Sequence, residues 1–247
     1  MDWDPRHRFS AVAEDYRRWR PSYPNAAIDW ILATTGVRPP AVVVDLGCGT
    51  GISTRLFASR GFHVIGIDPN ESMLRLAQEE GGAEYHVGTA EATGLPSGTA
   101  DLVTTAQALH WFDMPAALGE FRRLLRPKHW CSAFENRRAL TPFNEEYSRI
   151  LESFREDPVE TRGHTRPFIN LEESTLVTDL IHAEFFNSQR FTEEGLLGRA
   201  HSASYAVLEG EKARSLDEAL LRLFRDHVHE GTVEMQYRTV VYCWRLL

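Results

Sequence analysis

The sequence predicts an α/β protein with a doubly wound, mostly parallel seven-stranded sheet, its last strand antiparallel, and a helical cap at the N-terminus. Three observations lead there. Short apolar, β-branched runs alternate with segments of helical apolar spacing between residues 41 and 134, the pattern of βαβ units. Glycine recurs at every second position, Gly47, Gly49 and Gly51, directly after the first of those runs. The last hundred residues break the rhythm, and the chain closes on a Val- and Tyr-rich run over 232–247; a closing strand that follows its neighbour without a full crossover enters the sheet antiparallel, which is the expectation for this one.

The elements follow in order. Residues 9–18 read as a helix, interrupted by Pro21 and Pro24, and 25–34 as a second. AVVVDL, 41–46, is apolar on both faces, as a buried parallel strand requires. Residues 52–60 form a helix that Gly61 stops. HVIGID, 63–68, is the second strand, and Met73, Leu74 and Ala77 mark the next helix, with Asn70 as its N-cap. Strands over 85–87 and 101–107 follow, then a helix carrying Met114, Leu118, Phe121 and Leu125, with Pro127 after its end, and a fifth strand over 130–134. Phe143, Tyr147, Ile150 and Phe154 suggest a helix, 157–170 a polar loop, 183–191 a strand, and Leu216, Leu220, Leu223 and Phe224 a helix closed by Gly231. Without a linker to divide it, the chain reads as one domain over 1–247, with a cap over 1–40, a ligand-binding core over 41–135 and an extension over 136–247.

Composition narrows the function. The 247 residues carry 27 basic and 35 acidic side chains, a net charge of -8. Polyanions are held by basic patches that release counterions, so nucleic acid is not an expected partner. No stretch approaches the ~18 apolar residues of a membrane span, and the acidic start Met1-Asp2-Trp3-Asp4 is no signal peptide. Cys48, Cys131 and Cys243 have neither CxxC nor metal-ligand spacing, so neither a metal nor a disulfide framework is expected and a reducing cytoplasm is the default location.

The glycine turn, VVVDLGCGTG over 42–51, carries the chemistry. Glycine permits positive φ and removes the Cβ where a ligand must approach. A dinucleotide turn is GxGxxG and holds a pyrophosphate. Here the third glycine comes one residue early and Asp45 precedes the turn. A carboxylate there repels paired phosphates and suits a ligand with a positive amine and sulfonium, which favours S-adenosylmethionine. A second acid, Asp68, ends the second strand, where it can accept hydrogen bonds from both ribose hydroxyls. With Pro69 and Asn70 following, Asp68 taken alone fits a helix N-cap equally well.

These motifs resemble the class I methyltransferases, specifically the type-11 methyltransferase-domain family, whose fold is Rossmann-like. DLGCGTG resembles its first motif, GID its second, GTAEATGLP over 88–96 its third and DLVTTAQALHWF over 101–112 its fourth. AQALHWF, with the opening YRRWRPSYP, is similar to a subgroup that includes the trans-aconitate methyltransferases of yeast. The resemblance implies S-adenosylmethionine as cofactor. It implies that residues from Asp45 to Gly51 line the methionine and ribose, that Asp68 binds the ribose with Pro69 beside it, and that Met73 packs on the adenine. It places Ala90 and Glu91 near the adenine edge, Gln107 near the methionine, and Tyr16 and Arg20 over the cofactor, with Arg20 reaching its carboxylate. Where the family usually has Asp as acceptor for the adenine amine, this chain has Thr89, which accepts one hydrogen bond without charge.

Methyl transfer is an in-line displacement, so the protein mainly aligns its reactants. A carboxylate or amine nucleophile needs no base, whereas a hydroxyl does. The resemblance makes His110 the candidate base and Trp111 a wall of the acceptor site or a face for the sulfonium. Composition alone reads Trp111 and Phe112 as core and His110 as packed. The acceptor is expected to be a small molecule, with O-methylation of a carboxylic acid the specific reading. N- or C-methylation and a non-catalytic cofactor-binding module stand as alternatives. Oligomeric state is not legible.

Overall fold

A computed structural model of the chain describes residues 13–155, 171–202 and 210–247. Helices α1 (Ala13–Trp19) and α2 (Asn25–Thr35) precede strand β1 (Val42–Leu46). Then come α3 (Ile52–Ala58), β2 (His63–Asp68), α4 (Glu71–Glu80), β3 (Glu84–Val87), β4 (Ala100–Ala106), a 3₁₀ turn (Leu109–Trp111), α5 (Met114–Leu124) and β5 (Leu125–Arg138). The chain continues through α6 (Pro142–Ser153), β6 (Val177–Phe191), α7 (Glu193–His201), α8 (Gly210–His227) and β7 (Val233–Leu246). The loop expected over 157–170 and the first residues of the N-terminal helix lie outside the described residues.

Among the described residues the strands make one seven-stranded sheet in the order β3-β2-β1-β4-β5-β7-β6. Neighbours from β3 to β5 pair parallel, and the C-terminal strands run antiparallel. The strand order reverses between β1 and β4, the crevice where doubly wound sheets take ligands. Contacts divide the described chain into two units: 13–21, 136–155, 186–202 and 210–238 in one, 22–135, 171–185 and 239–247 in the other.

In the second unit, successive residues of each strand enter different cores, because side chains alternate across a strand. Val43, Val64, Leu102 and Val241 pack with Ala27, Ile28 and Ile31 of α2 and Phe57 of α3. Val44, Leu46, Ile65, Ile67, Val103 and Val240 pack with Ala117, Leu118, Phe121 and Leu124 of α5. This two-sided burial is why β1 and β2 read as continuous apolar runs. At ~1.5–3 kcal/mol per buried aliphatic side chain, Val43, Val44 and Leu46 supply roughly 5–9 kcal/mol, more than burial of Asp45 in the same strand costs.

The other unit has its own core, in which Phe143, Tyr147 and Leu151 of α6 meet Leu196 of α7, Leu216, Leu220 and Leu223 of α8 and Met235. Helix α7 has no counterpart in the sequence reading. Thr192 caps it by accepting from Gly195 N–H at 3.3 Å. Its interior Gly195 and Gly198 look like breakers, yet a Cβ on either would overlap the Trp19 ring. They are helical residues kept small by a neighbouring aromatic.

Candidate functional site

The turn after β1 is stitched to β2: Gly47 N–H and Cys48 N–H both donate to Ile67 O, at 2.8 and 3.1 Å. Gly47, Gly49 and Gly51 all have left-handed backbone, with φ of +67°, +54° and +78°. Packing explains two of them. A Cβ on Gly47 would stand 2.5 Å from Ala108 Cβ, and one on Gly51 2.5 Å from the Tyr85 hydroxyl. A Cβ on Gly49 would meet nothing within 4 Å. The middle glycine therefore faces open space, and no protein neighbour demands its bare Cα.

Asp68 crosses beneath that space. Its Oδ2 accepts from Gly49 N–H and its Oδ1 from Asn70 N–H, both at 2.8 Å. Burial raises its pKa, against the lowering effect of those two N–H groups. The cap of α4 is Asn70, whose side chain accepts from Ser72 and Met73 N–H at 3.0 and 3.1 Å. Asp68 is thus not the helix cap, and each of its oxygens keeps a lone pair for a further donor.

Asp45 is fully buried at the end of β1. Ser53 and Thr54, from the first turn of α3, both donate to its Oδ2 at 2.6 Å. Its Oδ1 is buried without a hydrogen-bond partner among the described residues. Desolvation pushes its carboxyl up to about 6, opposed by the two hydroxyls and aided by the charge of Asp68. The sequence reading missed Ser53 and Thr54, although two hydroxyl residues one turn into the helix after an acid are the available signal. Thr50 Oγ1, in the turn itself, is likewise buried without a partner.

The segment after β4 adjoins this turn, since Ala108 and Phe112 are what a Gly47 side chain would strike. Gln107 has φ +55°, a conformation that costs a non-glycine residue roughly 1–2 kcal/mol, and its N–H donates to Phe134 O at 2.9 Å. Buried Leu109 anchors the 3₁₀ turn, leaving His110 and Trp111 half-buried with ring centroids 4.9 Å apart at 42°. Phe112 packs on the core, edge-on to Phe121.

The remaining residues sit as follows. Pro69 is half-buried and Met73 buried on α4. Ala90 is a core residue. Glu91 Oε1 accepts from Asp113 N–H at 2.9 Å, which ties the 89–92 turn to the start of α5. Thr89 Oγ1 accepts from Ala92 N–H at 3.2 Å. Arg20 belongs to the other unit, where its Nη2 donates to Ser202 O at 2.9 Å. The Tyr16 side chain lies outside the described residues. Among the described residues no group of three acidic, His or Cys side chains could hold a metal, and no helix is long and apolar enough to cross a membrane.

Residues 44–133 match the family model described as a methyltransferase domain. An uncharacterised methyltransferase of Mycobacterium tuberculosis is 42% identical over 122 residues, 48% of this chain and 48% of that one. A malonyl-acyl-carrier-protein O-methyltransferase of Pseudescherichia vulneris is 35% identical over 125 residues, 47% of this chain and 50% of its own. The chain thus spans about half the length of the curated relatives it matches. Among solved structures, a candidate type II methyltransferase of Anaeromyxobacter dehalogenans is 25% identical, with a TM-score of 0.65 over 92% of this chain and 98% of that one.

Proposed function

We propose that this chain, whose residues 44–133 match a methyltransferase-domain model, is a class I methyltransferase that transfers a methyl group from S-adenosylmethionine to a small-molecule acceptor. The observation that carries this reading is the open space at Gly49, bounded by the Asp68 carboxylate and reached from a turn whose other two glycines packing explains. The residues present fit the cofactor. Asp68 offers free lone pairs for ribose hydroxyls, and Asp45, with one oxygen orphaned in the interior, is short of a positive partner. When bound, the cofactor supplies a methyl carbon already activated by its sulfonium.

The chain's own residues align and screen. Gly47, Gly49 and Gly51 let the backbone approach the ligand, with Pro69, Met73, Ala90 and Glu91 toward the adenine. Gln107 lies toward the methionine. His110 accepts the proton of a hydroxyl acceptor, and Trp111 walls the acceptor side. O-methylation of a carboxylic acid is the specific reaction proposed, supported by the AQALHWF resemblance and by the malonyl O-methyltransferase among the relatives. An ionised carboxylate attacks without a base.

The test is formation of S-adenosylhomocysteine across a panel of small carboxylic acids and phenols, with wild type and His110→Ala. The reading expects turnover with carboxylic acids that His110→Ala leaves nearly intact. No product with any acid, or turnover confined to hydroxyl acceptors, overturns the carboxylate assignment.

A further inference from the structure

A second site lies at the other end of the sheet from the glycine turn. The loop 36–41, which leads into the amino end of β1, faces the start of β4, the first half of β5 and the end of β7 across a cleft of about 480 Å³. That volume lies within the range of small-molecule sites. Arg38, Asp101, Trp130 and Arg245 supply its chemistry, and all belong to one of the two units.

Asp101 does not leave the cleft negative. Its Oδ2 accepts from Val42 N–H at 2.8 Å and from Arg126 Nη1 at 2.6 Å, so its charge is matched inside the protein. Arg245 is different. Its guanidinium lies over the Trp130 ring, 4.4 Å from the centroid, a cation–π contact that uses none of its N–H donors. Its Nε is buried with no hydrogen-bond partner among the described residues. Its ion pair among the described residues is loose, with Nη1 3.6 Å from Asp179 Oδ2 and both side chains well exposed, a geometry worth little. Arg38 is exposed on the loop opposite. A buried donor of a charged group without an acceptor is costly, and a stacked guanidinium with spare N–H groups matches planar carboxylate or phosphate.

We infer that this cleft binds a small anion bearing a carboxylate or phosphate, held by the Trp130-stacked fork of Arg245 with Arg38 opposite. Because it opens at the amino end of β1, it is separate from the turn at the carboxyl end of the same strand. An occupant would add to the cofactor rather than compete with it.

The test is calorimetric titration of the full chain with inorganic phosphate and, separately, with succinate at constant ionic strength. Arg245→Gln and Arg38→Gln are titrated alongside, the latter being an exposed loop change that keeps the test open should the former fail to fold. Saturable binding of either anion with a Kd on the order of 1 mM, weakened about tenfold in either variant, supports the site and tells which anion it takes. No saturable binding of either anion, or equal affinity in wild type and both variants, overturns it.

Discussion

In the proposed site, buried Asp45 should make cofactor affinity a function of pH. Its carboxyl is raised from 3.8 to about 6, chiefly because the folded chain strips it of water. At about 1.4 kcal/mol per unit, the fold disfavours the ionised form by roughly 3 kcal/mol. The sign follows from the raised value. In the ligand-free protein this stability contribution is fully present below pH 3.8 and is lost as pH rises through 6. A cation placed beside the turn favours the carboxylate and draws the pKa down. Its affinity should therefore climb about tenfold per unit as pH rises toward 6 and level off above it. At pH 5 about one Asp45 in ten is ionised, so the dissociation constant should be about ten times that at pH 7.5. Calorimetry with S-adenosylmethionine between pH 5 and 8 measures this. Asp45→Asn should bind more weakly at pH 7.5 and lose the slope. A flat wild-type profile, or a slope that survives in Asp45→Asn, refutes the reasoning.

Asp68→Ala removes the acceptor of Gly49 and Asn70 N–H along with the proposed ribose contacts, and charge-assisted bonds of ~1.5–3 kcal/mol imply at least tenfold weaker binding; unchanged affinity by calorimetry contradicts the ribose role. Gly49→Ala should keep the melting temperature within a few degrees, since only its φ of +54° is strained, yet weaken cofactor binding. Gly47→Ala should lower the melting temperature much further, because its Cβ meets Ala108, and thermal melts that rank the two the other way dispose of the distinction. Glu120 accepts from Arg123 and Thr93, and the Arg123 hydrogen bond above all holds its carboxyl down at about 2. Its stabilisation should be present above pH 4.5 and lost as pH falls toward 2. Glu120→Gln should cost about 1–3 kcal/mol by urea denaturation at pH 7, and a loss as large at pH 2 would show the effect is not ionic.

The parallel half of the fold was legible because burial on both faces writes itself as β-branched runs. The expected bounds of the second strand, 63–68, coincide with β2, and those of the first exceed β1 by one residue. The C-terminal part was less legible. Strand β5 begins at Leu125, directly after α5, and runs through Pro127, where the sequence places only a helix stop. A register shift allows this: Ala100 pairs with Leu125 while Leu102 pairs with Trp130. The first residues of β6, VTDLIH, are half-exposed, with Asp179 at φ +53°, so no alternation marks them. The place of the glycine turn and of Asp68 at the end of β2 was readable from spacing, because left-handed backbone calls for glycine and the apolar run marks where the strand ends. The hydroxyls on Asp45 were legible only as a pair of Ser and Thr one turn into the helix after an acid, and the tie from Glu91 to Asp113 was not legible, because partners brought together across 22 residues leave no local pattern.

The account rests on the open turn accepting a cationic sulfur nucleoside and refusing paired phosphates. Parallel calorimetric titrations of wild-type protein with S-adenosylmethionine and with NAD at pH 7.5 measure that choice. Saturable one-to-one binding of S-adenosylmethionine with no binding of NAD is the result predicted. Binding of NAD, or no heat with S-adenosylmethionine, contradicts it.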